Sequence, residues 1–137
     1  MSNIHGMSPL QVVAYEPGVC NIGPDEIARR RRTGHAGLIA SAVILGLLMA
    51  VEAPHWTRLV LVATAAASAS GYLQAWLHFC AGFGSVGVYN LGPLGSVVHV
   101  ADSRAVSLDR RRSLQIGLAS VLVGLVVGIG AALLPVR

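Results

Sequence analysis

Long apolar stretches dominate the chain, and its charged residues fall between them. The first stretch covers residues 33–51 and the last covers 113–134, and residues 59–101 between them contain no charged side chain. A helix needs about 20 apolar residues to cross about 30 Å of hydrocarbon. The central stretch is therefore too long for one helix and almost long enough for two. The pattern predicts three or four membrane-spanning helices.

The arginines decide between these two topologies. All ten basic residues are arginine, and seven of them lie in two runs, 29–32 and 110–112. With three spans, both runs and Arg104 share one side of the membrane, and only Arg58 and Arg137 lie on the other. With four spans the ten arginines divide equally. Because basic residues concentrate on the cytoplasmic side, the count favours three spans, with the N-terminus in the cytoplasm and the C-terminus outside.

We therefore predict an all-α membrane protein with three transmembrane helices, in which residues 1–32 form a cytoplasmic segment and residues 33–137 the transmembrane domain. A basic juxtamembrane helix should begin near Pro24, since proline is favoured in the first turn and two acids follow it. Five glycines and a proline make 81–101 a poor helix sequence. The expected spans are about 34–53, 57–79 and 113–134, with a Gly-rich cytoplasmic or re-entrant loop over 80–112.

Composition agrees with a membrane location. Of the 137 residues, 54% are hydrophobic and only 12% are charged, whereas a soluble domain carries about a quarter of its residues as charges. The net charge of +4 reflects the two arginine runs, which we interpret as topology anchors that meet lipid headgroups. No aromatic residue is interleaved with them, so we expect no nucleic-acid partner. We predict a multi-pass protein of the cytoplasmic membrane, and the resemblance given below implies that this is the bacterial inner membrane. The anchor residues are Arg29, Arg30, Arg31, Arg32, Arg110, Arg111 and Arg112.

Small residues recur every four positions along the predicted spans, which places them on one ridge of each helix. Such ridges allow helices to approach closely in a membrane, and we expect them to make the helix contacts. Three helices bury only part of these ridges, so the partners expected are lipids and either a second copy or other membrane subunits. The ridges are Ala42, Gly46 and Ala50 in the first span, Ala63, Ala67, Gly71 and Ala75 in the second, and Ser120, Gly124, Gly128 and Ala132 in the third.

Imidazole and thiol side chains gather on the predicted cytoplasmic side. Cys20, Cys80, His78, His35 and His99 all fall there, and four of them could enclose a zinc ion. Their spacing matches no standard metal motif, however. A haem held between His35 and His78 is a further alternative, although both residues lie at span ends. Hydrogen-bonding histidines and buried, reduced cysteines are the default interpretation, without a cofactor.

Three segments of the chain carry a resemblance to a known group of proteins. The segment YEPGVCNIGPDEIARRRRTG, the later HFCAGFGSVGVYN and the DRRR before the last span resemble small bacterial integral membrane proteins of uncharacterised activity. That group shares a PGxCNIGPxEIxxRR element and a later FCAxFG element. The resemblance implies no catalytic residues, but it places Cys20 and Cys80 in the two most distinctive stretches.

These observations lead to three functional hypotheses. The first is a non-catalytic accessory or assembly subunit of a larger membrane complex, or a homo-oligomer. The second is a metal-binding or thiol-redox protein that uses Cys20, Cys80 and His78 at the cytoplasmic face. The third is an oligomeric pore, which would need a polar stripe that none of the spans has. Pumps and transporters are disfavoured because no Asp, Glu, Lys or Arg lies inside the apolar stretches 33–51, 59–101 and 113–134.

Overall fold

The computed structural model describes residues 14–135, which form three long helices and a small structured region. In chain order the elements are α1 (Pro24–Ala50), a 3-10 helix (His55–Val60), α2 (Leu61–Leu77), α3 (Ala81–Val86), β1 (Val88–Tyr89), β2 (Val98–His99) and α4 (Ser103–Leu133).

Three helical segments are long and apolar enough to cross a membrane: Pro24–Ala50, His55–Leu77 and Ser103–Leu133. This confirms the prediction of three such helices. Which helix end faces the cytoplasm stays a prediction. Helices α1 and α4 are about 40 and 46 Å long at 1.5 Å per residue, so both exceed the hydrocarbon thickness of about 30 Å. Their excess length lies in the arginine-containing turns.

Helix α2 is the central member of the bundle. It packs against α1 on one side and α4 on the other, while α1 and α4 make at most marginal contact with each other. The three long helices therefore form a layer rather than a closed triangular bundle. As a result, both flanking helices leave much of their apolar surface without a neighbour within the described chain.

Small residues bring α1 and α2 together. Gly34 and Gly71 lie so close that a Cβ added to Gly71 would collide with the α1 backbone. One turn away, Ser68 donates a hydrogen bond to the Gly34 carbonyl (2.8 Å), and further along the hydroxyl oxygens of Ser41 and Thr64 lie at hydrogen-bond distance from each other (2.8 Å). Close backbone approach and interhelical hydrogen bonds are the main sources of helix association where hydrophobic burial gives little. The α1 and α2 interface uses both.

The contact between α2 and α4 uses the ridge predicted on the last span. Ser120, Gly124 and Gly128 are buried. A Cβ on Gly124 would meet the Val62 carbonyl, and one on Gly128 would meet the Val62 side chain. Glycine at these two positions thus lets α4 rest directly against the start of α2.

The other predicted ridges make only part of the contacts within this chain. On α2, Gly71 and Ala75 are buried, but Ala63 and Ala67 are exposed. The reason is that α2 has neighbours on two opposite sides, and Ala63 and Ala67 point to neither. At the end of α4, Ala131 is buried and Ala132 only partly so. On α1 the contact face is Gly34, Gly37 and Ser41, and the predicted Ala42, Gly46 and Ala50 are exposed.

The region expected as a loop over 80–112 is largely structured. It contains α3 and the antiparallel pair of β1 and β2, and α4 already begins at Ser103. Helix α4 starts there because the Asp102 side chain accepts a hydrogen bond from the Arg104 amide (3.0 Å), which is an N-cap contact. The arginine run 110–112 therefore lies inside a helix instead of in a loop before it.

Candidate functional site

A compact polar region covers one end of the helix layer. We call it the cap and define it as residues 14–23 and 78–102. Its two segments are joined through their backbones: the Asn21 amide donates to the His78 carbonyl (3.1 Å), the Gly23 amide donates to Asn90 O (2.8 Å), and the Asn90 amide donates to Asn21 O (2.9 Å). The structure thus brings the two distinctive sequence elements together.

The Asn21 side chain holds Cys80 from both sides. Its Oδ1 accepts from the Cys80 amide (2.6 Å), and its Nδ2 donates to the Cys80 carbonyl (3.1 Å). Asn21 is fully buried and Cys80 is 2% exposed. Buried backbone groups need partners, and here a single amide satisfies two of them. Asn21 therefore fixes the chain at the point where it turns from α2 into α3.

The Cys80 thiol is the N-cap of α3. Its Sγ accepts from the Phe83 amide at 3.5 Å and from Arg30 Nη2 at 2.9 Å. The Arg30 guanidinium also lies 5.8 Å from the centre of the Phe83 ring. Arginine, cysteine and aromatic ring together join α1 to α3, although 50 residues separate Arg30 from Cys80.

A buried carboxylate lies beside this contact. The side chain of Glu26 is 2% exposed, and its oxygens lie 3.6 Å from Arg30 Nη2 and 4.0 Å from Arg29 Nη1. Asn90, which is fully buried, donates from Nδ2 to Glu26 Oε1 at 3.5 Å. Glu26 also lies in the first turn of α1, where the helix dipole favours a negative charge. The start of α1 therefore surrounds its own buried acid with the positive helix end and two guanidinium groups.

Asp109 of α4 attaches the beginning of the cap. This fully buried carboxylate accepts from the Tyr15 hydroxyl (2.6 Å) and from the Gly18 amide (2.7 Å). Gly18 adopts a left-handed conformation with φ of 71°, which favours glycine in this turn. Burial and the adjacent Asp109 carboxylate raise the pKa of Tyr15 above its ordinary value. The Tyr15 ring stacks on Tyr89 with centroids 4.4 Å apart.

The five candidate metal ligands do not converge. Cys20 Sγ lies 3.7 Å from the Ile22 carbonyl, and burial raises the pKa of this thiol. His35 Nδ1 is 2.6 Å from the Tyr72 hydroxyl. His78 ends α2 in a left-handed conformation, and His99 is exposed in β2. Across residues 14–135, no three histidine, cysteine or acidic side chains form a group that could hold a metal ion.

The arginine runs divide into exposed and partly buried members. Arg31, Arg32, Arg110 and Arg111 are exposed, and the Arg29 side chain is 59% exposed. Arg30 turns inward to Glu26 and Cys80, as described above, and Arg112 is also only partly exposed. Arg30 and Arg112 are therefore less exposed than a topology anchor at the lipid surface would be.

Sequence reasoning missed the residues that hold the cap together. Asn21, Glu26, Asn90 and Asp109 are each at most 1% exposed, and they make or receive the contacts between segments. One signal was available, because Asn21 and Glu26 fall in the distinctive N-terminal element. Asp109 begins the DRRR segment that also carries the resemblance, but its residue type and position are those of an ordinary charged residue before a span.

Comparisons of the chain with protein-family models, with curated proteins and with solved structures found no match. In and around the cap, the buried amides of Asn21 and Asn90 and the Asp109 carboxylate hydrogen-bond to backbone groups or to other side chains, and Glu26 forms ion pairs with arginines. Such a region can position the helix ends and present a fixed surface.

Proposed function

We propose that this chain is a non-catalytic integral membrane protein of the bacterial cytoplasmic membrane, with its cap on the cytoplasmic side. It acts as an accessory or assembly subunit that associates laterally, through its membrane-embedded helices, with other membrane subunits or with further copies of itself. The distribution of arginines supports the cytoplasmic placement of the cap.

The observation that carries this proposal is the exposure of α1. Only 6% of the residues in its most apolar stretch are buried, against 33% for the His55–Leu77 segment and 28% for α4. This surface includes the small residues Ala42, Gly46 and Ala50, and nothing lies within 4 Å of the position that a Gly46 Cβ would occupy. A small-residue surface lets another transmembrane helix approach closely, which supports a helical partner on this side of the layer.

The cap supports a scaffold role. Its buried polar side chains are directed at one another and at the backbone, so they serve to fix three helices and two connecting segments. A fixed cap gives the exposed α1 surface a defined direction relative to α2 and α4. An assembly subunit needs such a rigid geometry in order to hold partners in one arrangement.

Isolation at native expression level tests the proposal. The protein, extracted in mild detergent, should run with partners or as an oligomer, and Gly46→Leu should shift it to the monomer by blocking close helix approach. Gly130→Leu is the matched control, because Gly130 is also open, with nothing within 4 Å of its Cβ position, but it lies on α4. A wild-type protein that emerges alone and monomeric would contradict the proposal, as would equal effects of the two substitutions.

The second candidate is a thiol or metal function at the cap, and it is favoured by the contact of Arg30 Nη2 with the Cys80 sulfur at 2.9 Å. Metal analysis of the purified wild type beside Cys80→Ser distinguishes it from the first. Stoichiometric metal that is lost in Cys80→Ser would replace the subunit proposal. Equal, sub-stoichiometric metal in both would remove the metal-binding form of this candidate.

A further inference from the structure

A long crevice runs along the line where α2 and α4 meet. Two hollows of about 250 and 220 Å³ occupy it, one near the middle of the helices and one nearer the cap. Their lining residues form two facing ridges with a spacing of four. The ridges are Ala65, Ala69, Leu73 and Leu77 on α2, and Gln115, Ala119, Val123 and Val127 on α4.

The two hollows are consecutive parts of one crevice, because each ridge continues from one hollow into the next. Helix α1 adds Leu38 and Ser41 to the wall of the hollow near the middle of the helices, which we call the deeper hollow. The hydroxyls found there already have partners: Ser41 donates to the Gly37 carbonyl (2.8 Å), and Ser68 donates to that of Gly34 (2.8 Å). The wall of the deeper hollow is therefore apolar in practice.

The end of the crevice nearest the cap is cationic. Arg112 and Gln115 line it together with the two leucines of α2. The Arg112 Nε atom is buried and has no hydrogen-bond partner within residues 14–135, and no carboxylate of that range forms an ion pair with this side chain. The Nε atoms of Arg30 and Arg58 are also buried without an acceptor, but those two guanidinium groups donate through other nitrogens to Cys80 Sγ and the Ala131 carbonyl. Because an unpaired buried donor is unfavourable, an anionic group would stabilise Arg112.

We infer that the crevice binds one anionic phospholipid, with an acyl chain between the α2 and α4 ridges and the phosphodiester at Arg112. This specific site goes beyond general headgroup attraction by the arginine runs, and it is independent of whether the protein is a subunit or an oligomer.

The dimensions fit a single lipid in one leaflet. From Gln115 to Val127 the crevice extends about 18 Å along α4, at 1.5 Å per residue. Half of the hydrocarbon core is about 15 Å thick. An acyl chain that starts at the polar end thus reaches the far end of the deeper hollow near the bilayer centre, while Arg112 lies at headgroup depth.

Charge order selects a lipid over a partner helix as the occupant. The crevice is apolar along its length and cationic at one end, which matches the order of apolar chain and anionic headgroup in a phospholipid. Basic pockets between transmembrane helices are known binding places for anionic headgroups.

Lipid binding can be measured by native mass spectrometry of the full chain. The protein is released from micelles that contain either phosphatidylglycerol or phosphatidylcholine with the same acyl chains. We expect the wild type to retain one phosphatidylglycerol in preference to phosphatidylcholine. Arg112→Gln should weaken phosphatidylglycerol binding about tenfold, which is the effect of losing one charge-assisted contact.

Arg111→Gln is the matched control, because Arg111 is exposed in the same run and carries the same charge. It should change binding less than about twofold, as expected of an exposed charge. Equal losses in the two variants would show a diffuse electrostatic attraction instead of a site and would overturn the inference. A wild type that retains both lipids equally would overturn it as well.

The apolar part of the site is tested separately. Ala119→Trp should fill the crevice between the ridges and reduce phosphatidylglycerol retention, while leaving both arginines in place. Leu122→Trp is its control, since Leu122 is 63% exposed and lies outside both hollows of the crevice. Unchanged retention in Ala119→Trp would show that no acyl chain occupies the crevice. Circular dichroism of each variant identifies any that fails to fold, and for such a position Arg112→Met or Ala119→Leu replaces it.

Discussion

The two ends of the helix layer solve the same problem with very different means. Every helix end leaves backbone groups without partners inside the helix, and these groups need satisfaction. At the cap end, two chain segments, a short helix and a strand pair surround the termini with fully buried Asn21, Asn90 and Asp109. At the opposite end, the chain passes from α1 to α2 through a short turn and a 3-10 helix.

At the opposite end, one side chain bonds to the last carbonyls of α4. Arg58, in the 3-10 helix, is 3% exposed and donates from Nη1 to the carbonyls of Ala131 (3.1 Å) and Leu134 (3.2 Å). The same nitrogen lies 3.4 Å from His55 Nδ1. A cation at a helix C-terminus is favoured by the helix dipole, and here it also bonds to the last carbonyls. One arginine therefore fastens the end of α4 to the start of α2.

The two ends therefore differ in how strongly their contacts depend on one another. The cap depends on many mutually dependent contacts between residues distant in sequence, so the loss of one should loosen several. The Arg58 contact is local and independent, so its loss should affect one helix end. The following substitutions and one titration separate these two modes, from the largest expected effect to the smallest.

Asp109→Ala should have the largest effect. It removes the acceptor of two hydrogen bonds to a buried carboxylate, from Tyr15 and Gly18, and we expect a loss of about 3 kcal/mol in the free energy of unfolding. The released segment should also expose Cys20. Thermal denaturation in detergent micelles and the rate of thiol alkylation at Cys20 measure the two consequences.

Asp102→Ala is the control for this substitution. Asp102 is an exposed N-cap on the same helix, and its loss should reduce stability by only about 1 kcal/mol without changing the alkylation of Cys20. If both variants lose the same amount, the buried carboxylate is not the anchor that we describe.

Arg58→Met should have a smaller and local effect. The carbonyls of Ala131 and Leu134 lose their donor, but a buried cation without a carboxylate partner among the described residues is also removed. We expect a net loss of about 1 to 2 kcal/mol. Hydrogen exchange should increase at the end of α4 and remain unchanged in the cap. Arg104→Met, at an exposed position near the cap, should change neither quantity, and faster exchange throughout the cap after Arg58→Met would contradict a local role.

The smallest effect is expected from alkaline titration of the cap. The pKa of Tyr15 is raised in the folded protein, mainly by burial and then by Asp109. The tyrosine therefore stabilises the fold fully below its unfolded pKa of about 10, and this contribution is lost as pH rises through the folded pKa. Melting temperature should fall above about pH 10, and less steeply in Tyr15→Phe. Identical slopes in wild type and variant would exclude Tyr15 as the group responsible.

The sequence predicted the helices better than their contacts. Apolar length and the arginine count indicated three spans, because membrane thickness and charge placement act on each span separately. Which face of a helix makes contact depends on its neighbours. Ala63 and Ala67 have the same spacing as Gly124 and Gly128, yet they are exposed because α2 is held from two opposite sides. A ridge in the sequence does not indicate how many neighbours its helix has.

The cap shows the same limit in its polar residues. Cys20 and Cys80 lie in neighbouring segments, in agreement with their placement on the same side. The Cys20 thiol, however, contacts the Ile22 carbonyl of its own segment, and it is the Asn21 side chain that bonds to the Cys80 backbone. The alternation of side chains along an extended segment decides which residue points inward, and a shift of one position reverses it. The orientation of the cap towards the cytoplasm stays a prediction.

The hydrogen bond between Tyr15 and Asp109 spans 94 residues of sequence. During translation, the segment around Tyr15 is synthesised early, whereas its acceptor emerges only as α4 begins. The first-made part of the cap therefore waits while α1 and α2 are delivered to the bilayer. The hydrogen bond of Tyr15 with Asp109 can form only after α4 has begun to be synthesised. A closed cap therefore requires that synthesis has reached α4.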